Sequence, residues 1–444
     1  MTQFLDHVKI KLTKIVKGEG MNTKNNIKKS VLRILVFTLL LTSFILPSDK
    51  IQGATKYIKV GEFIKELLVG MELEVKEASI NSCIDKAMEI GLINKDTFSD
   101  YNNYINRMDA AVLLNKADEY IYGKTLEDEL LNIVLSKRIS DIKKIDKSKR
   151  EAVASIVAKG IIKGYSNGYY IQNREFRGKN LLTRTGATEV INLLMTPSKR
   201  ASLSKDGMLI RTTNLPRNAE HYDYILACYP NEFYEMKFYF MNWNSFINGS
   251  MADNRFAFPS DMKNESWYTW SKKWPFIEES NKYLSTWTKR VEDYLNLVFN
   301  VDYRTVNDKW KKDLASCYAI PIMDNLLIGT EKGIQKYIDG LNKNKVIVES
   351  KIISVEPSTL YEYDGVYYLR TYVKYKISAQ NINVNHDNLL YSNTVYLQDL
   401  VNGDWREGIF DVELDNGKNM LATGRELYIQ VYSEFNDYNY IKID

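Results

Sequence analysis

Cysteine, histidine and proline are scarce in this chain of 444 residues, which has three cysteines, three histidines and eight prolines. The cysteines Cys83, Cys228 and Cys317 lie far apart in the sequence. We therefore expect no disulfide framework and no Cys-x-x-Cys zinc pair. The G-x-S-x-G, H-E-x-x-H and Walker motifs are missing too. These absences leave no motif for a metal, a cofactor or a catalytic residue, and we expect none of the three.

A large excess of charge of one sign is also missing. The formal net charge is +4, but residues 1–54 contain nine Lys or Arg and three Asp or Glu. This leader carries +6, so the remaining residues carry −2. A nearly neutral body excludes nucleic acid as an expected partner, because contact with many phosphates requires a basic surface.

The leader has an apolar run, residues 34–46, that is too short to span a bilayer, for which a helix needs about 20 residues. Lys28, Lys29 and Arg33 precede the run, and small residues follow it, ending at Ala54. This order predicts a signal peptide over residues 1–54 and an exported protein. Met21 is the expected start, because a signal peptide begins close to its charged region. The alternative is an uncleaved leader that tethers the protein to the membrane.

Three short segments repeat along the next part of the chain: "IKVGEFIKELL", "NRMDAAVLLNK" and "TRTGATEVINL". Each continues as an apolar helical stripe, and Asn106 and Thr183 suit helix N-caps. Aligned without gaps, the segments share a basic second residue, namely Lys59, Arg107 and Arg184. A cation in the first turn of a helix is unfavourable for the helix dipole. It indicates either an anion-binding site or three solvated surface charges.

The stretch "GIIKGYSNGYYIQNREFRGKNLLTRTG" precedes the third helix. Gly160 is expected to end one helix, and Gly164 and Gly168 to take positive φ in a turn. Phe176 is the expected core residue beneath that turn. Thr183 then caps the next helix.

Residues 140–196 resemble an S-layer homology repeat. The quoted stretch is similar to the family pattern of Gly-Ile-Ile-x-Gly-Tyr, an Asp/Asn-Gly turn, Phe-x-Pro and Thr-Arg-Ala-Glu. Residues 82–118 resemble a second repeat and residues 55–70 the last helix of a first, so that the resemblance covers about a third of the chain. In the third repeat, Phe-x-Pro has become Phe176-Arg177-Gly178. In the ungapped alignment, the residues at the motif glutamate are Gly61, Asp109 and Gly186.

The resemblance implies a helical module with pseudo-threefold symmetry that binds pyruvylated secondary cell-wall polysaccharide of Gram-positive bacteria. In the family, the arginine of the Thr-Arg motif meets the carboxylate of the pyruvate ketal in a groove between repeats. The groove near Arg184 is the one expected to keep the full chemistry. The site residues that the resemblance implies are Arg184, Arg107, Lys59, Thr183, Gly164 and Tyr165.

The C-terminal half has a different sequence pattern, with fewer helical repeats and more strands. A strand is expected over residues 232–243, and helices over residues 277–299, 305–315 and 331–342. Strands then alternate with turns at Asp364-Gly365, Asn402-Gly403 and Asn416-Gly417. The fold class is therefore α+β, with C-terminal helices packed on an antiparallel sheet in an order similar to NTF2-like cones. The expected domains are residues 1–54, 55–200, 201–275 and 276–444.

These patterns favour an exported surface protein, held non-covalently on the cell wall, with an outward-facing domain for binding or assembly. The alternative is a wall-anchored enzyme acting on glycan or peptide. That alternative requires two carboxylates, or Cys317 and His221, to converge in one C-terminal pocket.

Overall fold

The computed structural model of the protein describes residues 56–73, 79–124, 126–236, 283–318, 324–363, 366–384, 388–391, 400–415, 428–429 and 441–442. The expected signal peptide and the Asp364-Gly365 and Asn416-Gly417 turns lie outside these residues. No helix in the described ranges is long and apolar enough to cross a membrane.

The N-terminal part is helical, as expected. Its helices are α1 (Val60–Gly70), α2 (Ile80–Glu89), α3 (Arg107–Tyr122), α4 (Asp128–Ile133), α5 (Arg150–Ala158) and α6 (Arg184–Met195). One continuous apolar core runs through all of them except α4, whose leucines pack against its edge. A hairpin of two short strands, β1 (Tyr165–Ser166) and β2 (Arg174–Glu175), lies between α5 and α6.

A closed ring of backbone hydrogen bonds joins the chain segments that lead into α1, α3 and α6. The amide of Ile58 donates to Leu182 O at 3.1 Å, and that of Leu182 donates to Ile105 O at 2.9 Å. The amide of Ile105 returns to Ile58 O at 3.0 Å. The ring gives the module its threefold character, because three equivalent bonds place three helix starts around one axis.

Asp118 of α3 is fully buried and binds two cations. It accepts from Lys159 Nζ at 2.5 Å and from Arg200 Nη2 at 2.7 Å. Arg200 also donates to the carbonyls of Leu193 and Leu194 near the end of α6. The carboxylate therefore ties α3 to the segments that follow α5 and α6.

The C-terminal part places helices on an antiparallel sheet, which confirms the α+β class. The helices are α7 (Asn231–Glu235), α8 (Leu284–Phe299), α9 (Asp308–Cys317) and α10 (Asp324–Asn344). The strands are β3 (Val301–Asp302), β4 (Ile347–Val355), β5 (Tyr361–Tyr363), β6 (Val366–Ser378), β7 (Trp405–Asp415), β8 (Tyr428–Ile429) and β9 (Ile441–Lys442). Their order is β3-β4-β6-β7-β8, with β5 paired to β6 and β9 to β7. The NTF2-like cone stays a prediction.

Both faces of the sheet are covered. Because side chains alternate along a strand, Leu369 and Val373 of β6 pack with α8 to α10, while Tyr368 and Tyr372 face the opposite way. The opposite face packs against the segment from Met208 to Met236.

The strand expected over residues 232–243 is wrong at its start, where the structure has the short helix α7. Buried Arg370 of β6 donates to Phe233 O at 3.1 Å and to Met236 O at 2.9 Å. These bonds satisfy carbonyls at the end of a helix, which have no partner within it. The tertiary contact outweighs the strand preference of Phe233 and Tyr234; residues 237–243, where the aromatic pattern alternates, lie outside the described residues.

Glu356 lies in the layer between the sheet and the Met208–Met236 segment and is fully buried. It accepts from Ser358 Oγ at 2.8 Å and from Tyr234 OH at 3.3 Å. Burial raises the pKa of this carboxyl to about 8, although these hydrogen bonds work to lower it.

Replacing Asp118 with alanine should lower the free energy of unfolding by about 3–5 kcal/mol, since Lys159 and Arg200 would stay buried without their counter-charge. Urea unfolding followed by circular dichroism measures the change. Asp128→Ala is the matched control, because its ion pair with Lys124 is exposed and contributes little. Equal stabilities of the two variants would contradict this role for Asp118.

The free energy of unfolding should fall between pH 5 and pH 8 more steeply in the wild type than in Glu356→Gln. The folded-state pKa of Glu356 lies above the ordinary value, so its contribution is complete at low pH and is lost as the pH rises toward 8. Denaturant unfolding of both proteins across this range checks it. Parallel pH profiles would show that Glu356 does not titrate as expected.

Candidate functional site

The three N-caps define the true register of the repeats. The residues immediately before the first residues of α1, α3 and α6 are Lys59, Asn106 and Thr183, respectively. The arginine position, the first of the helix, is therefore held by Val60, Arg107 and Arg184. The expected equivalence of Lys59 with the two arginines is wrong by one residue. The ungapped alignment paired Lys59, which is an N-cap, with the arginines, which are first helical residues.

The corrected register also moves the motif acid of the first repeat. The third helical residues are Glu62, Asp109 and Gly186, so the first repeat keeps a glutamate that the alignment had placed at Gly61. The side chain of Glu62 accepts the amide of Lys59 at 3.0 Å. In α3 and α6 the amide of the third residue is bound by the side chain of Asn106 or Thr183, as expected for N-caps.

Arg107 lies beside the hairpin. Its Nε donates to Phe176 O at 3.0 Å, and its guanidinium carbon lies 5.0 Å from the ring centre of Tyr165 and 5.1 Å from that of Phe176. Arg177 approaches the same tyrosine ring at 4.3 Å. Burial lowers the pKa of Arg107, and the charge of Arg177 adds to this, while Tyr165 and the carboxylate of Asp141 work to raise it; the group stays charged at neutral pH. We call Arg107, Tyr165, Phe176 and Arg177 the Arg107 site.

The backbone around the Arg107 site is tightly specified. Gly164 has φ of +70°, and its carbonyl accepts from Arg174 Nη2 at 3.0 Å. Asp141 accepts the amides of Phe176 and Arg177 at 2.7 and 2.8 Å, which holds Arg177 at a φ of +57°. Phe176 is buried in the core as expected.

Gly178 explains one departure from the family pattern. A Cβ at this position would lie 2.3 Å from Ile145 Cδ1 and 3.2 Å from Met108 Cβ. Since Ile145 is buried, the proline of Phe-x-Pro would not fit here without repacking.

Arg184 is already paired. Its Nη2 donates to Glu62 Oε2 at 2.7 Å, and the two side chains are 38% and 30% exposed. Burial works to raise the pKa of Glu62, but the bonds from Arg184 and from the Lys59 amide outweigh it and hold the pKa below its ordinary value. Burial raises the pKa of nearby Glu66. We call Arg184, Glu62 and Lys59 the Arg184 site.

The structure thus divides the predicted site residues into two groups. Arg107, Gly164 and Tyr165 meet at the hairpin, whereas Arg184, Thr183 and Lys59 lie at the starts of α6 and α1. The sequence reasoning missed Glu62 and Arg177. The signal that could have found Glu62 is its place three residues after Lys59, from which its side chain accepts the Lys59 amide as in a capping box.

The two sites differ in electrostatics. The acid of the second repeat, Asp109, pairs with Lys149 at 2.7 Å rather than with Arg107. No ion pair within the described ranges involves Arg107, and its terminal nitrogens make no hydrogen bond there. A carboxylate could therefore bind Arg107 directly, with a sugar ring against the exposed Tyr165. At the Arg184 site it would have to displace Glu62.

The C-terminal thiol does not have the properties of a nucleophile. Cys317 is buried, donates to Asp313 O at 3.5 Å, and burial raises its pKa to about 11. The side chain of His221 lies outside the described residues. No cluster of potential metal ligands occurs within the described ranges.

Comparison with known proteins identifies one family. Residues 138–184 match the family model described as S-layer homology domain. No curated protein and no solved structure matches the chain. The matched segment contains the hairpin, Phe176, Arg177 and Arg184, but not Arg107.

The pKa of Glu62 should rise in Arg184→Gln, because burial would remain while the strongest opposing hydrogen bond is lost. Titration of the carboxyl carbon by NMR measures the change. Arg304→Gln, which breaks the pair with Asp302 in the C-terminal part, should leave the Glu62 titration unmoved. An unchanged Glu62 pKa in Arg184→Gln would mean that the ion pair does not form in solution.

Proposed function

Because the chain contains an S-layer homology domain at residues 138–184, which associates it with the cell surface, we propose that the helical module anchors the protein non-covalently to an anionic cell-wall polysaccharide. The bound group is the carboxylate of a pyruvate ketal on the secondary wall polymer. The principal contact is Arg107, and the leader directs export.

The observation that carries the proposal is the state of Arg107. Its guanidinium is oriented by Phe176 O and by two aromatic rings, yet its terminal nitrogens have no partner among the described residues. Arginine binds a carboxylate through two parallel hydrogen bonds, and partial burial strengthens such bonds because less water competes. A fixed, half-buried guanidinium whose terminal nitrogens are not bound by the described residues therefore suits an anionic ligand better than a structural role, even though the carboxylate of Asp141 lies close enough to act on its charge.

Tyr165 adds affinity for the sugar itself. Its side chain is exposed at the edge of the hairpin, and two guanidinium groups lie against its ring. Aromatic faces bind the apolar face of a pyranose, while the adjacent cations attract the acid substituent. The combination favours an acidic sugar over a neutral one.

The Arg184 site is a secondary contact in this proposal. An incoming carboxylate would compete with Glu62, which already neutralises the guanidinium at 2.7 Å. The gain in electrostatic energy is smaller when one ion pair replaces another. The C-terminal α+β part then faces outward and serves binding or assembly.

Arg107→Ala should weaken binding to purified pyruvylated wall polysaccharide by about tenfold or more, as expected for a charge-assisted pair of hydrogen bonds. Arg184→Ala should weaken it by about threefold or less, because that guanidinium is already paired. Isothermal titration calorimetry with the mature protein gives both values. Arg107→Lys keeps the charge but not the geometry for two parallel hydrogen bonds, so its affinity should lie between those of the wild type and Arg107→Ala.

Chemically depyruvylated polysaccharide is the ligand control. The wild type should bind it weakly, and Arg107→Ala should bind it no worse than the wild type does. Equal binding of both polymers by the wild type would overturn the proposed ligand. A larger loss from Arg184→Ala than from Arg107→Ala would move the principal site.

A further inference from the structure

The loop of the β1–β2 hairpin, residues 167–173, is inserted into the C-terminal part. Tyr170 stacks on Tyr372 of the sheet, with ring centres 3.6 Å apart and planes within 7°. The rings of Tyr229 and Phe233 meet it edge-on at 5.9 and 5.8 Å. We call these four residues the aromatic cluster. The tip of an S-layer homology hairpin is thus part of the packing on the sheet.

Hydrogen bonds fix the same loop. The amide of Tyr170 donates to Cys228 O at 2.7 Å. Gln172 Nε2 donates to Val355 O at 2.8 Å and to Tyr229 OH at 3.0 Å, while its Oε1 accepts from Arg138. The loop therefore has specific polar partners on both β4 and the Met208–Met236 segment.

The receiving surface is itself rigid. Arg370 makes two bonds to Asp411 across β6 and β7, at 2.8 and 3.0 Å, and binds the carbonyls of Phe233 and Met236. A fully buried arginine whose three nitrogens are all hydrogen-bonded holds α7 against the sheet. The position of Phe233 in the aromatic cluster is therefore set by the sheet.

The backbone of the loop depends on these contacts. Tyr170 has a φ of +62°, in the left-handed region that residues other than glycine, asparagine and aspartate rarely adopt. Such conformations persist only where the surroundings impose them. In this protein the surroundings are the aromatic cluster and Cys228 O.

We propose that the C-terminal part completes the wall-polymer site, with Tyr170 and Gln172 as positioning residues that orient Tyr165 beside Arg107. Strand β1 carries Tyr165 and continues directly into the anchored loop. Docking of the loop removes freedom that the ligand would otherwise have to remove on binding. The inference rests on the proposed function and adds that the helical module does not bind as an independent unit.

The test compares full-length mature variants for binding to pyruvylated wall polysaccharide. Tyr170→Ala should bind about fivefold to tenfold more weakly than the wild type, although it keeps Arg107 and Tyr165. Tyr170→Phe keeps the ring contacts and should bind as the wild type does. Leu341→Ala is the control, because it creates a cavity in the core between α10 and the sheet rather than at the loop. This variant should lose stability but not affinity.

A second measurement uses the unmodified protein. Binding and loop order are reciprocally linked, so the polysaccharide should slow hydrogen exchange in residues 228–234 as well as at the hairpin. Protection confined to the helical module would overturn the inference, as would wild-type affinity in Tyr170→Ala or an equal affinity loss in Leu341→Ala. A wild type that does not bind the polysaccharide would remove the proposed function and the inference together. If Arg107→Ala loses affinity as expected but Tyr170→Ala loses none, the inference is overturned and the proposed function stands.

Discussion

The ring of three backbone hydrogen bonds among Ile58, Ile105 and Leu182 is the constraint on which the helical module depends. It brings three helix N-termini to one end of the bundle, where the partial positive charges of the helix dipoles add up. Arginine side chains at two of these starts increase that charge. Anionic groups are therefore favourable there, whether from the protein or from a ligand. The module has an electrostatic reason to bind an acid before any specific contact is considered.

The first and third repeats balance this positive charge jointly, since the acid comes from one and the arginine from the other. The first repeat has kept an acid at Glu62 and has valine at the arginine position, whereas the third has kept Arg184 and has glycine at the acid position. The two surviving halves form an ion pair across the repeat boundary. In the second repeat Lys149 binds Asp109, so Arg107 does not pair with the acid of its own repeat. Divergence of the repeats has thus left Arg107 with terminal nitrogens that no described residue binds.

Local features of this module could be predicted from the sequence, and features that depend on register could not. Asn106 and Thr183 were identified as caps from side-chain chemistry, and Gly160 and Gly164 as positive-φ residues from the lack of a Cβ. Lys59 is not recognisable as an N-cap from its own chemistry, because a lysine side chain cannot accept the amide hydrogen bonds of a helix N-terminus. The stacking of Tyr170 on Tyr372 joins residues that are far apart in sequence. Such contacts leave no periodic pattern in either segment.

The same limit explains why a helix replaces the expected strand at Asn231–Glu235. Aromatic residues there favour a strand, but two of them, Phe233 and Tyr234, are adjacent in the sequence and both buried beside a sheet that already has its strands. A short helix can present both rings to that sheet and direct its last carbonyls at Arg370. A strand would expose unpaired backbone groups to the buried layer, at a higher energetic cost. Because Tyr170 packs on this helix, the choice between helix and strand also decides where the hairpin of the wall-binding module can lie.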